Sequence, residues 1–192
     1  MPQPLFGTAD NNIVVAVNNC HSQFMDDCVL TITNFWFFVA VVICIYAYSF
    51  YKERYPRALL FCALLIVTVG CSDFLCASII RPAVQQLRPT NPGNPIHAML
   101  HIVHVYTEGK YGFPSCHAAN SFAIAVFSAL WFRRKWMAIV LIAWALLECY
   151  TRLYLGVHYP SDIVFGMAIG SLMACIIYIL SKRVFPLLSG VV

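Results

Sequence analysis

The sequence predicts an all-α fold: a polytopic transmembrane helix bundle of about five spans, preceded by an N-terminal interfacial helix. Three observations carry that prediction. Of 192 residues, 61% are hydrophobic and only 10% are charged, with a mean hydropathy of +0.76; a soluble domain carries roughly 25% charged residues. The apolar residues gather into runs close to the roughly 20 residues a bilayer requires. The basic residues gather between those runs and on alternate connections, so the net charge of +4 is informative through its distribution.

In chain order, residues 12–26 read N-N-I-V-V-A-V-N-N-C-H-S-Q-F-M, too short and too interrupted to span. They suit a helix lying at the membrane interface, and 1–27 is expected as an interfacial N-terminal segment of one integral-membrane domain over 1–192. Met1 to Asp10 shows no basic stretch before an apolar core, so no cleavable signal peptide is expected. The spans are expected at about Cys28–Phe50, Ala58–Ile80, Ser115–Phe132, Trp136–Leu155 and Ser161–Leu180. Pro114 and Pro160 stand before the third and fifth, in keeping with proline's preference for a first helical turn. Residues 81–114 form a polar, proline-rich outer loop.

Lys52, Arg54 and Arg57 lie between spans one and two; Arg133, Arg134 and Lys135 lie between three and four; Lys182 and Arg183 follow span five. Five spans put all three clusters on one face, which the positive-inside rule makes cytoplasmic, with the C-terminus. The other face keeps Arg81, Arg88, Lys110 and Arg152, four cations that topology does not explain. The nine cysteines lie mostly inside apolar runs without C-x-x-C spacing, which argues against a zinc site or a disulfide scaffold. Cys20 and Cys28 are the one pair considered for a bridge.

Three segments meet on the outer face: Arg81 to Pro89, Phe113 to His117, and Thr151-Arg-Leu-Tyr-Leu-Gly-Val-His-Tyr-Pro-Ser-Asp162. Ionisable groups at the edge of a span are costly to place and mark a functional site. Arg81, Arg88 and Arg152 can offset a phosphate dianion, helped by the Ser115 hydroxyl, the Cys116 amide and the positive ends of helices opening at Ser115 and near Ser161. His158 and Asp162 stand four apart, so a helix opened by Pro160 lets the carboxylate reach the imidazole. That pair fits a nucleophile and its orienting group, and His117 fits a general acid for the leaving oxygen. Spacing alone does not decide which histidine takes which role. Neither a carboxylate cluster nor a convincing set of metal ligands appears on this face, so no metal and no cofactor are expected.

Arg81-x6-Arg88-Pro89, Pro114-Ser-Cys-His117 and Thr151-Arg152-x5-His158-x3-Asp162 resemble the three-part signature of the type 2 phosphatidic acid phosphatase superfamily, K-x6-R-P, P-S-G-H and S-R-x5-H-x3-D. The resemblance covers about residues 73 to 170 in motif order, spacing and topology. It implies a membrane-bound, metal-independent phosphatase of lipid phosphates or diphosphates, with His158 as nucleophile, Asp162 as its orienter and His117 as acid. Three positions depart from the pattern. Arg81 stands for lysine, Cys116 for glycine and Thr151 for serine, which alter geometry, bulk and little else, respectively.

Other polar residues have plainer readings. Glu148 precedes Arg152 by four and is expected to support it through an ion pair. Asp73 lies about 12 Å before Arg81 on a straight helix, too far to pair with it, and its partner is not evident. Lys110 touches a phosphate or simply faces solvent. His97, His101 and His104 share one face of a short amphipathic stretch, better suited to a surface helix than to a metal. The expected protein is a bacterial inner-membrane enzyme with its site on the periplasmic face or outer leaflet and the bilayer and a lipid phosphate as partners; no nucleic-acid partner is expected. Undecaprenyl diphosphate and a lipid A phosphate are preferred over phosphatidylglycerol phosphate and phosphatidic acid because of that outward orientation. The rivals are a catalytically impaired binder of lipid phosphates and a transporter built on Asp73 and Glu148.

Overall fold

The computed structural model describes residues 4–103 and 108–185. Helices α1 (Thr8–Asn18) and α2 (Gln23–Thr33) precede α3 (Phe35–Lys52) and α4 (Tyr55–Phe74). A π-helical turn, Leu75–Ile80, continues α4 into α5 (Arg81–Val84), and the bundle is completed by α6 (Cys116–Phe132), α7 (Lys135–Tyr154) and α8 (Pro160–Val184). Four of these units are long and apolar enough to cross a membrane, α4 counted with its continuation to Val84, and α6 is a shorter apolar helix.

Two expected boundaries move. The first apolar run breaks at Asn34, whose extended backbone and side-chain bond to the Trp36 amide start α3 afresh, leaving Cys28 to Thr33 in α2. The asparagine side chain competes with the helical backbone for its own local bond, which an apolar window does not register. The second run extends past Ile80, so Arg81 is a helical residue rather than the first residue of a loop. In the N-terminal segment, the polar stretch Asn19–Ser22 separates α1 from α2, with Ser22 capping the Met25 amide. Both cysteines considered for a bridge are free thiols.

Helix α6 is the axis of the bundle: most of its residues are buried, and α4, α7 and α8 surround it. Its companions turn a wide apolar belt outward, with Trp36, Ile66, Ile139 and Leu172 among many large exposed side chains. An apolar belt of that extent is a lipid-facing surface. The inner filling at one end is aromatic, where Phe61 packs on Phe127, Trp131 and Phe132.

Helices α6 and α8 run in parallel and very close together. An added Cβ on Gly170 would lie 1.9 Å from the Ala119 carbonyl oxygen, and one on Gly166 would lie 2.4 Å from that of Ser115. Small residues on facing helices permit such an approach, since lipid supplies no hydrophobic drive to hold helices together. The close approach sets α6 and α8 with their N-termini side by side, where Ser115 N–H donates to the Asp162 carbonyl at 3.0 Å. At the same end, Gly156 at φ +65° closes α7 and Val157 N–H returns to the Arg152 carbonyl at 3.1 Å. A left-handed residue of this kind is strained for any side chain other than glycine's. The turn delivers His158 to the end of α8.

Candidate active site

The three sequence segments converge at this end of the bundle. Backbone bonds join the first to the residues ahead of α6: Arg88 N–H donates to the Lys110 carbonyl at 3.2 Å and Gly112 N–H to the Gln86 carbonyl at 2.9 Å. Around them lies a cavity of about 510 Å³ lined by Arg81, Arg88, Glu108, Cys116, His117 and His158, among others.

His158 is fully buried, with Nδ1 3.2 Å from Asp162 Oδ2. Asp162 sits in the first turn of α8 and accepts three bonds: from His158 Nδ1, from the Tyr159 amide at 3.0 Å and from Gln86 Nε2 at 2.7 Å. A carboxylate with that many donors is locked in place, and it fixes the imidazole proton on Nδ1. The other nitrogen, Nε2, keeps its lone pair and lies 2.8 Å from Arg88 Nη1, a donor. Burial pushes the His158 pKa well below the ordinary histidine value, and the nearby guanidiniums of Arg88 and Arg152 push it the same way. Both effects favour the neutral imidazole.

Arg88 is almost wholly buried and fully engaged: Nε donates to the Gly109 carbonyl at 2.8 Å, Nη1 to the Val157 carbonyl at 3.0 Å, and Nη2 pairs with Glu108 Oε2. Arg152 Nη1 lies 3.4 Å from the other oxygen of Glu108, while Nη2 donates to Thr33 Oγ1 and both Nε and Nη2 reach Thr151 Oγ1 at 3.1 Å. One carboxylate thus bridges two guanidiniums beside the imidazole. Arg81 Nη2 donates to the Pro114 carbonyl at 3.1 Å and to Cys116 Sγ at 2.8 Å, so two of the positions that depart from the signature touch each other. Thr151 Oγ1 donates to the Glu148 carbonyl at 2.7 Å while receiving Arg152, the work a serine hydroxyl would do.

Ser115 is the buried N-cap of α6 and its hydroxyl accepts from the Ala118 amide at 3.4 Å. His117, in the first turn of α6, lines the cavity on the side facing Asp73. Lys110 is exposed, with its ammonium 5.3 Å from the Tyr111 ring centroid, and lies outside the lining of the cavity.

Two expectations fail here. The Glu148–Arg152 ion pair is not formed: Arg152 is turned toward Glu108, Thr33 and Thr151, and Glu148 Oε1 has no hydrogen-bond partner. Helical spacing makes a pair possible, but Glu108 and Thr33, brought in from elsewhere, and the neighbouring Thr151 compete for the same guanidinium. Nor do His97 and His101 share a helix. His97–Met99 is a short 3-10 turn and the chain is extended from Leu100, because His97 Nδ1 bonds the Thr90 carbonyl and Asn18 holds both the amide and the carbonyl of His101. His101 Nε2 lies 3.0 Å from Asp26, and His104 falls outside the described residues. Among the described residues no group of three or more His, Cys, Asp or Glu could hold a metal ion.

Sequence reading missed Gln86, Glu108, Thr33 and Asp10. Gln86 hides in a variable stretch of the first segment, and Glu108 and Thr33 belong to no motif. Asp10 is completely buried in α1 and accepts from Ser161 N–H at 3.0 Å and Ser161 Oγ at 2.7 Å, pinning the start of α8. Its one sequence signal was a lone acid at the start of an amphipathic stretch. Asp73 gains the partner it lacked: Asn120 Nδ2 donates to Oδ1 at 2.9 Å.

The site thus gathers a histidine held by a carboxylate, two arginines sharing one anion and a second histidine on the cavity wall. The chain belongs to the PAP2 superfamily, whose family model matches residues 64–186. It is 37% identical over 174 residues to a lipid A 4'-phosphatase of Bacteroides thetaiotaomicron, covering 91% of this chain and 77% of that one. It is 28% identical to the lipid A 4'-phosphatase of Porphyromonas gingivalis over 88% of this chain and 71% of that protein. Its fold matches a transmembrane PAP2-type phosphatidylglycerolphosphate phosphatase from Bacillus subtilis with a TM-score of 0.70, at 21% identity over 92% of this chain and 86% of the other. The chain is an integral-membrane phosphatase of lipid phosphates.

Proposed function

We propose that the protein removes the phosphate monoester of a lipid A type glycolipid through a phosphohistidine on His158. The observation that carries this reading is His158 itself: Nδ1 is turned to Asp162, and Nε2 faces a cavity lined by arginines with His117 on its wall. The substrate phosphate takes the place of the Glu108 carboxylate between Arg88 and Arg152 and draws Arg88 Nη1 off the imidazole. Nε2 then attacks phosphorus as the bond to the sugar oxygen breaks. Arg81, Arg88, Arg152 and the N-terminal amides of α6 hold the equatorial oxygens as charge spreads over them. His117 gives its proton to the leaving oxygen. It then takes one from the water that attacks the phosphohistidine, releasing inorganic phosphate and restoring the imidazole. The two lipid A 4'-phosphatases similar to most of this chain support the choice of substrate class.

The same reading makes residues 1–192 one membrane domain whose N-terminal segment 1–27 lies at the interface. The site faces the periplasm or outer leaflet of a bacterial inner membrane, with the C-terminus cytoplasmic. What supports that orientation is the position of Lys52, Arg133, Arg134, Lys135, Lys182 and Arg183 at the helix ends remote from His158. The test is phosphate release from purified lipid A in detergent micelles, with EDTA present. Release by the wild type and none by His158→Ala is expected. Release by His158→Ala equal to wild type refutes the mechanism, and loss in EDTA refutes its metal independence.

A further inference from the structure

Inward of His117 the phosphate cavity opens into a second chamber of about 290 Å³, which shares Asp73, Cys116 and His117 with it. Asp73 and Asn120 form one wall, Glu148 another, and Phe35 and Phe38 a third. Its oxygen atoms are under-used. Glu148 is 1% exposed and its Oε1 has no hydrogen-bond partner; the half-buried Asn120 leaves its Oδ1 without one as well. Asp73 spends Oδ1 on Asn120. Buried acceptors without donors are costly, and ionisable groups at membrane depth mark function. The proposed chemistry at His158 uses none of them.

Beyond the chamber lies a third space of about 550 Å³, an almost wholly apolar groove between α3 and α4. It begins at the same Phe35 and Phe38 and continues past Val42, Tyr46, Leu65 and Val69. Three compartments therefore follow one another from the outer end of the bundle into the lipid-facing belt: cationic, rich in hydrogen-bond acceptors, then apolar. A leaving oxygen beside His117 stands at the mouth of the middle one. That compartment asks for a group that donates hydrogen bonds and has flat apolar faces for the two phenylalanine rings, followed by a hydrocarbon chain. A sugar with hydroxyl and amide donors fits. A second phosphate does not, because it brings oxyanions and no donors to two carboxyl groups, and a prenyl or acyl chain attached at that point brings no donors at all.

We propose that Asp73, Asn120 and Glu148 form a subsite for a hydroxylated, amide-bearing sugar as the leaving group, and that this subsite disfavours lipid diphosphates. The proposal rests on the phosphatase reading above and adds the basis of its selectivity. A site built to bond substrate hydroxyls discriminates strongly against an analogue lacking them, because its own polar groups are then left unpaired.

The experiment compares kcat/KM for an N-acylated glucosamine lipid phosphate, farnesyl diphosphate and phosphatidic acid in the same micelles, using wild type, Asp73→Asn, Glu148→Gln and His158→Ala. Wild type is expected to prefer the sugar phosphate over the diphosphate. Each amide variant, nearly isosteric with its parent, is expected to compress that preference by about 10- to 100-fold, the range of one hydrogen bond to a charged group. The gain on farnesyl diphosphate is the readout that a merely structural role would not move. Equal loss on all three substrates, or no preference in wild type, overturns the subsite while leaving the phosphatase intact. Activity no higher than that of His158→Ala on every substrate overturns both.

Discussion

Replacing Asp162 by asparagine tests the core of the site, and the structure bounds the effect from both sides. The carboxylate receives Gln86 Nε2 on Oδ1, and His158 Nδ1 and the Tyr159 amide on Oδ2. All three are donors, whereas an asparagine presents one acceptor oxygen and one NH2 group. If the oxygen stays toward His158 and Tyr159, the NH2 meets Gln86, whose amide can turn over to accept it. The imidazole then keeps its proton on Nδ1, and the loss is that of the carboxylate's charge as the imidazole becomes cationic. A hydrogen bond to a charged group contributes about 1.5–3 kcal/mol, so kcat falls by roughly 10- to 100-fold. If instead the NH2 faces His158, the proton is forced to Nε2, where Arg88 Nη1 already donates at 2.8 Å. The nucleophilic lone pair disappears, and a wrong tautomer of this kind costs roughly 10⁴-fold elsewhere. Phosphate release under saturating lipid measures kcat, and thermal unfolding in detergent checks that the fold survives. The pair Asp162→Asn and Gln86→Leu/Asp162→Asn separates the two arrangements, since leucine removes the amide that turns over. A folded Asp162→Asn protein within about threefold of wild-type kcat refutes the orienting role.

The remaining predictions concern charge and packing. Burial, then Arg88 and Arg152, hold His158 neutral below the ordinary histidine pKa, so the acid limb of kcat/KM is expected below about pH 6.5. Arg152→Gln removes a cation, raises the His158 pKa and moves that limb toward neutrality; an unmoved limb refutes the assignment. The same group makes the fold less stable as pH falls through the ordinary histidine pKa, because the unfolded chain takes up a proton that the buried ring does not. Gly170→Ala sets a methyl 1.9 Å from the Ala119 carbonyl oxygen and is expected to cost about 1–3 kcal/mol or more, read as a lower unfolding temperature in detergent. A Gly170→Ala protein as stable and active as wild type means that the close contact of α6 and α8 does not position the site.

What could be read in the sequence was what depends on local pattern. Apolar runs specify helices and their approximate positions, because a bilayer leaves a backbone few alternatives. Five helical units appear near the expected positions, and Asn34 shifted the first because a local side-chain bond overrode a hydrophobic window. Arg81, Arg88, His117, Arg152, His158 and Asp162 were visible as charges at span ends with fixed spacing, and the structure brings them to one end of the bundle. The i to i+4 step between His158 and Asp162 survives folding because both belong to one helix start; the equal step between Glu148 and Arg152 does not, because Arg152 finds Glu108 and Thr33.

The partners of the motif residues were decided only in three dimensions. Glu108 between two arginines, Gln86 on Asp162, Asp10 on Ser161 and Asn120 on Asp73 each join residues 47 to 151 positions apart or, for Glu108, reach across from a loop. No periodicity records such pairs, since they form only between segments that the packed bundle brings together. The sequence by itself determined a membrane bundle with cations and histidines on one face. The tertiary structure decided which nitrogen of His158 is turned away from Asp162, what anion Arg88 and Arg152 share, and what lies behind His117. Those are matters of which polar groups are buried together, and burial follows from the packing of helices that are far apart in the chain.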